Sequence, residues 1–102
     1  MSANAMEKIM HRKTLLKKAL SAVQDRNYGE PVKNFQDIAN LWSEYKGIGF
    51  SVEDVGIMMI LLKIARIKHD TSEDSYIDIA GYAAVTHEAS NQISEGTIKP
   101  SR

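Results

Sequence analysis

Two aspartates and a tyrosine on one predicted helix are the first candidates for chemistry. Asp74, Asp78 and Tyr82 are spaced i, i+4 and i+8, so they lie on one stripe of a helix. Carboxylates one turn apart can hold Mg²⁺, which takes oxygen ligands, and they can equally pair with Lys or Arg. The spacing makes Asp74 and Asp78 candidate ligands of a Mg²⁺ cofactor and adds Tyr82 as a candidate for ligand binding.

Two cations belong to the preceding predicted helix. Lys63 and Arg66, at i and i+3, are the polar side chains of an otherwise apolar run. The connection from Lys68 to Ser72 is short, so the two helices should be antiparallel neighbours with these cations near the aspartates. Two interpretations stay open: an ion-pair network that joins the helices, or cations that bind the phosphate or carboxylate of a ligand.

Further candidates for ligand binding flank a predicted loop. Arg26 and Tyr28 precede Gly29, next to the helix that Asn34 is predicted to cap, and a helix N-terminus attracts anions. The chain has no GxxxxGK[ST] motif, so an ordinary helix–helix turn is the alternative. Trp42 is predicted to lie in the core, with the stacking of a base as its alternative role.

These residues need helices to position them, and the pattern predicts four: about 7–24, then one that begins at Asn34 and ends at Gly47, one over 51–67, and one over about 74–91. The second should bury one face, formed by Phe35, Ile38, Trp42 and Tyr45. Ser51 and Asp54 form a capping-box pair at the start of the third. We expect an all-α fold.

The third predicted helix is apolar on nearly every side between Val55 and Ile67, where only Lys63 and Arg66 are polar. Such a helix should be covered on nearly every side. In so short a chain this favours a central position or a helix shared with a second subunit. We expect a helical-bundle homo-oligomer, with a dimer as the first expectation.

Composition excludes several classes of function. The 102 residues include no cysteine, so thiolate chemistry and disulfides are absent, and the three histidines lie far apart, which argues against zinc. Net charge is zero, although residues 1–33 hold seven basic and three acidic side chains, with a cluster at Arg12, Lys13, Lys17 and Lys18. A solvated helix face explains this cluster more simply than phosphate contact, and a nucleic-acid partner is not expected.

The predicted organisation is a single domain. Residues 1–5 are interpreted as an expression scar, 6–93 as the helical domain and 94–102 as a flexible polar tail. The most apolar stretch, Val55 to Leu62, is far shorter than the roughly 20 residues of a membrane span. We expect no membrane association.

Three segments together resemble a family of small, uncharacterised proteins of tailed phages and prophages. They are DRNYGEPVKNFQDIANLW (25–42), VEDVGIMMILLKIARIKHD (52–70) and DSYIDIAGYAA (74–84). The similarity covers roughly residues 12–86, with the motifs R-x-Y-G, N-F-x-x-I-A-x-L-W, K-I-A-R and D-S-x-x-D-I-A-G-Y in the family's order. It implies a phage or prophage origin and action in the bacterial cytoplasm, without naming an activity.

A weaker resemblance is to the MazG-like all-α nucleotide pyrophosphohydrolases, which hold Mg²⁺ with ExxE and ExxD motifs. Asp74 and Asp78 match only the position of the later motif, with DxxxD spacing, and no ExxE occurs. Three hypotheses follow: a helical module that binds a nucleotide or another phosphate-bearing ligand, a MazG-like Mg²⁺-dependent pyrophosphohydrolase, or a protein-binding or structural accessory protein without a small-molecule site.

Overall fold

Four helices account for the fold. The computed structural model describes residues 3–25 and 30–98. The helices are α1 (Ala3–Asp25), α2 (Pro31–Lys46), α3 (Val52–Ile67) and α4 (Glu73–Ser94). These ranges contain no strand. The predicted all-α fold of four helices is confirmed.

Helix α2 begins earlier than the sequence pattern predicts. Its N-cap is Glu30, not Asn34, and the Glu30 carboxylate accepts the N–H groups of Val32 at 3.1 Å and Lys33 at 2.7 Å. Pro31 follows at the first helical position, where its missing N–H has no cost and its fixed φ suits the helix. Pro31 therefore begins a helix here, and Asn34 lies within its first turns.

The ends of the central helices follow the predicted signals. Gly47 ends α2 in the left-handed conformation, with φ 71°, and its N–H donates to the Ser43 carbonyl oxygen. Both arms of the Ser51–Asp54 capping box are formed at the start of α3, at 3.0 and 2.9 Å. Ser72 is the N-cap of α4, and its side chain makes no capping hydrogen bond.

Helix α4 is the one that contacts all three others. Helix α3 packs along α4 and also contacts α2, whereas α1 contacts only α4 among the described helices. The buried core consists of small and β-branched side chains around Phe35: Val32, Phe35, Ala39, Val52, Val55, Val85 and Ala89. The third helix was expected at the centre, but α4 is the helix that contacts all the others. Glycines allow close approach on two of its sides, with Gly81 of α4 next to Val23 of α1 and Gly56 of α3 next to Thr86 of α4.

Several large apolar side chains lie on the surface, including Tyr45, which the sequence pattern predicted in the core. Tyr45 is 86% exposed, and Leu16 and Leu20 of α1 are also exposed, because α1 packs on α4 through a narrower strip at Ala19, Ala22 and Val23. On α3, Met58 is exposed while Met59 packs against the core. Trp42, in contrast, packs against the core as predicted.

Beyond α4 the chain returns to the core. Residues 95–98 form turns, in which the N–H of Ile98 donates to the Gln92 carbonyl oxygen at 3.3 Å. Ile98 is partly buried against the core cluster. No helix in the described ranges combines the length and apolarity that a membrane span requires.

Ser43 ties the end of α2 to the following loop. The residue is fully buried, its hydroxyl donates to the Ala39 carbonyl oxygen at 2.7 Å, and it accepts the Phe50 N–H at 2.8 Å. Ser43→Ala would leave that N–H without its acceptor, so we expect the free energy of unfolding to fall by about 1–3 kcal/mol. Chemical denaturation checks this, with exposed Ser21→Ala as the neutral control. Equal losses in the two variants would contradict this role.

Candidate functional site

A cleft of about 370 Å³ opens where the four helices meet. Its volume falls within the range of small-molecule sites, which are mostly apolar and carry a few polar groups. The walls come from the end of α1, the first half of α2, one residue of α3 and the middle of α4. The residues are Ala22, Val23, Pro31, Asn34, Phe35, Ile38, Met59, Ile77, Asp78, Gly81, Tyr82 and Val85.

Two aromatic rings form part of the cleft wall. Phe35 of α2 and Tyr82 of α4 lie with ring centroids 6.1 Å apart and planes tilted by 36°. Phe35 is buried, and Tyr82 is partly buried against the same core cluster. The rings are held by two different helices, so they offer a planar ligand a preformed apolar wall.

The opposite end of the cleft is charged. Asp78, Ile77 and Ala22 are shared by the apolar cleft and a more open polar region. That region, here called the polar mouth, is lined by Lys18, Ser21, Ala22, Glu73, Asp74, Ile77 and Asp78. Lys18 of α1 pairs with Glu73 of α4 across it. The cleft thus runs from an aromatic wall to a mouth that holds both signs of charge.

Lys63 forms the inner ion pair at this mouth. Its Nζ lies 3.0 Å from an Asp78 carboxylate oxygen, and the two side chains are 14% and 20% exposed. This contact confirms the expectation that the antiparallel arrangement of α3 and α4 brings these residues together. A pair so largely removed from water is screened little by salt.

Arg66 and Trp42 lie elsewhere. Arg66 is exposed in the last turn of α3 and, among the described residues, makes no ion pair with Asp74 or Asp78. Its charge there is favourable for the C-terminal end of the helix dipole. Trp42 meets Phe50 edge to face, with centroids 5.9 Å apart, and does not line the cleft.

The cleft therefore brings together only part of the predicted set. Asn34, Asp78 and Tyr82 line it, Asp74 lines the polar mouth, and Lys63 reaches it through Asp78. Arg26 and Tyr28 lie outside the described residues. Sequence reasoning missed Lys18 and Glu73 as site residues, because their pairing joins α1 to α4 across 55 positions of the chain.

The carboxylates of the mouth do not form a closed metal site. Among residues 3–25 and 30–98, no group of three or more His, Cys, Asp or Glu side chains is placed to hold a metal ion. Two further carboxylates have other partners, since Asp37 pairs with Lys33 at 2.6 Å and Asp54 caps α3. If Asp74 and Asp78 take Mg²⁺, the remaining ligands have to be water and the phosphates of a bound molecule, which is a common arrangement for this ion.

Comparison with known proteins places the chain among phage proteins. Gene 55 protein of Mycobacterium phage L5 is 43% identical over 74 residues, which are 71% of this chain and 47% of that protein. Gene 55 protein of Mycobacterium phage D29 is 43% identical over 74 residues, covering 72% and 49%. The chain spans about half the length of these relatives. No solved structure gives a significant match. Residues 14–90 match the family described as "Domain of unknown function (DUF6378)", and the chain belongs to that family.

Proposed function

We propose that this protein is a binding module for a nucleotide, and that the cleft between the four helices is its site. The observation that carries the proposal is the polarity of the cleft, which has aromatic side chains at one end and Lys18, Lys63 and three carboxylates at the other. A nucleotide has the same polarity, since it joins a planar base to hydroxyl groups and phosphates.

The mixed charge of the mouth favours a nucleotide over a simple anion. Ammonium groups of lysine bind phosphate as point charges, and carboxylates accept hydrogen bonds from ribose hydroxyls or base amino groups. Glu73, Asp74 and Asp78 would repel an anion that offered no donors. A nucleotide can satisfy both kinds of side chain at once.

The same charges predict how Mg²⁺ affects binding. Asp74 and Asp78 place carboxylates at the mouth, and these repel the phosphates of a free triphosphate. Mg²⁺ bound between the phosphates and Asp74 or Asp78 removes that repulsion. We therefore expect nucleoside di- and triphosphates to bind more tightly with Mg²⁺, and monophosphates to depend on it less.

The MazG-like hydrolase is not the function that we favour. Such an enzyme needs several carboxylates around its Mg²⁺, and no group of three or more His, Cys, Asp or Glu side chains in the described ranges is placed to hold a metal ion. A role in binding another protein is supported by exposed apolar side chains outside the cleft. The nucleotide proposal would place the protein in the bacterial cytoplasm, where phage infection draws on nucleotide pools.

Thermal unfolding in the presence of nucleotides tests the proposal. A ligand at 100 times its dissociation constant adds about 2.7 kcal/mol of stability, which raises the midpoint by about 10–20 °C in a domain of this size. The panel should contain nucleoside mono-, di- and triphosphates, deoxynucleotides and cyclic nucleotides, each with and without Mg²⁺. No shift with any compound would refute the proposal, and pyrophosphate release would revive the hydrolase.

Lys18→Ala should weaken nucleotide binding while leaving the fold intact. Lys18 lines the mouth and its side chain is 49% exposed, so its loss removes a phosphate-binding charge and little packing. We expect roughly a tenfold rise in the dissociation constant, measured by titration calorimetry. Lys33→Ala is the matched control, because Lys33 is also in an exposed ion pair but does not line the cleft. Equal effects of the two substitutions would contradict the assignment.

A further inference from the structure

Helix α3 exposes an apolar face on the side away from α4. Five large apolar side chains of this helix are 42–56% exposed: Ile57, Met58, Leu61, Leu62 and Ile64. With the exposed Ala65 they lie on one side of a helix of 3.6 residues per turn. The opposite side, with Val52, Val55 and Gly56, is buried. We call these six exposed residues the α3 face.

An exposed apolar surface of this kind is typical of a protein interface. The α3 face is contiguous over two turns, and a large contiguous apolar patch on a soluble protein marks an interaction site. No charged side chain interrupts it between Asp54 and Lys68, because Lys63 turns inward to Asp78 and Arg66 lies off its centre line. The face therefore has the apolar centre that protein interfaces require.

Charges at the two ends of the face identify the partner. Asp54, Leu61 and Lys68 are seven positions apart, so they fall close to one line along the helix. Asp54 and Lys68 are both exposed and carry opposite charges at equal distances from Leu61. If a second α3 lies antiparallel with Leu61 at the centre, each Asp54 meets the Lys68 of the other copy, whereas a parallel pair would bring like charges together.

The geometry points to a homodimer in which two copies of the chain pack their α3 helices antiparallel about a two-fold axis at Leu61. The arrangement is isologous, with each copy offering the same patch. In this register Ile57 of one copy lies opposite Ala65 of the other, so large and small side chains interdigitate. The proposal concerns a surface away from the cleft and does not depend on which ligand the cleft takes.

Cysteine cross-linking tests the register directly, since the chain contains no cysteine of its own. Leu61→Cys places two thiols at the two-fold axis, and we expect a disulfide-linked dimer under mild oxidation. Ile57→Cys places its thiols eight positions out of register, about 12 Å apart along the axis, beyond the roughly 7 Å between Cα atoms that a disulfide spans. A dimer that forms at Ile57→Cys as readily as at Leu61→Cys would overturn the antiparallel register.

Two substitutions test the interface in solution by light scattering and sedimentation. Leu61→Glu puts like charges at the axis, and we expect the dimer dissociation constant to rise by about 100-fold or more. Leu41→Glu is the matched control, because Leu41 is also an exposed leucine but lies on α2, and its substitution should leave the dimer intact. Circular dichroism should show wild-type helicity in both variants. A wild-type chain that is monomeric at micromolar concentration would refute the proposal.

The end charges provide a separate check. Lys68→Glu should weaken the dimer, because the new carboxylate faces Asp54 of the other copy, and the effect should decrease with added salt. Asp54→Asn keeps an oxygen that can accept the Ser51 N–H of the capping box while it removes the charge. In the double variant Lys68→Glu/Asp54→Asn, the affinity of the dimer should be partly restored. If Lys68→Glu weakens the dimer equally with Asp or with Asn at position 54, the contact between positions 68 and 54 is excluded.

Discussion

Replacing Gly56 by alanine should destabilise the protein severely. Gly56 lies where α3 crosses α4, and an added Cβ would be 1.7 Å from the Thr86 hydroxyl oxygen and 2.8 Å from the Thr86 Cβ. A rotamer change moves the hydroxyl but not the Thr86 Cβ, so the two helices would have to separate. We expect the free energy of unfolding to fall by about 3 kcal/mol, the upper end for overpacking, and the midpoint to fall by about 12–24 °C.

Gly81→Ala is the control for this prediction. Gly81 is also a helical glycine at a helix contact, but its added Cβ would meet only a Val23 methyl group at 3.2 Å. That methyl can give way by a few tenths of an ångström, and alanine favours the helix by up to about 1 kcal/mol. Thr86→Ala should recover part of the Gly56→Ala loss. A Gly56→Ala variant as stable as Gly81→Ala would mean that α3 and α4 do not cross so closely.

Local signals in the sequence predicted the helices well. The Ser51 capping box and the glycine end of α2 at Gly47 involve only residues a few positions apart. The local sequence is therefore enough to predict them. The predicted start of α2 was wrong because two local signals compete. Asn34 is a good N-cap residue, but Pro31 at the first helical position and the Glu30 carboxylate offered an earlier start.

Burial was harder to predict, because periodicity gives the apolar face of a helix but not its neighbour. Tyr45 continues the apolar pattern of α2, yet no described element covers it. The apolar residues of α3 extend beyond the surface that α2 and α4 cover, since Ile57, Leu61 and Ile64 are exposed. One chain therefore leaves apolar side chains of α3 exposed.

The candidate site was predictable where one helix, or two joined by a short connection, holds its residues. Asp74, Asp78 and Tyr82 lie together because of helical spacing, and Lys63 reaches Asp78 because the connection between α3 and α4 is short. The apolar wall at Phe35 and the contact of Lys18 with Glu73 come from the packing of distant helices. No local pattern specifies such contacts.

The Lys63–Asp78 pair should contribute strongly to stability. Lys63→Met keeps the length of the side chain but removes the ammonium group that lies 3.0 Å from the Asp78 carboxylate, whose side chain is 20% exposed. Removing one partner of a buried pair costs about 3–5 kcal/mol, and the residual exposure places the expected loss near the lower end. Thermal and chemical unfolding of Lys63→Met, Asp78→Leu and the double variant measure the coupling of the pair.

The double variant separates the two roles that the pair could have. Lys63→Met with Asp78→Leu replaces both charges by apolar groups of suitable size, so its stability should return close to that of the wild type. A folded chain without these charges still has the aromatic wall of the cleft but lacks the inner end of the polar mouth. If Lys63 binds a nucleotide phosphate, the double variant should lose the nucleotide-induced rise in the unfolding midpoint that the wild type shows. If that rise persists in full, the pair serves only to join α3 and α4.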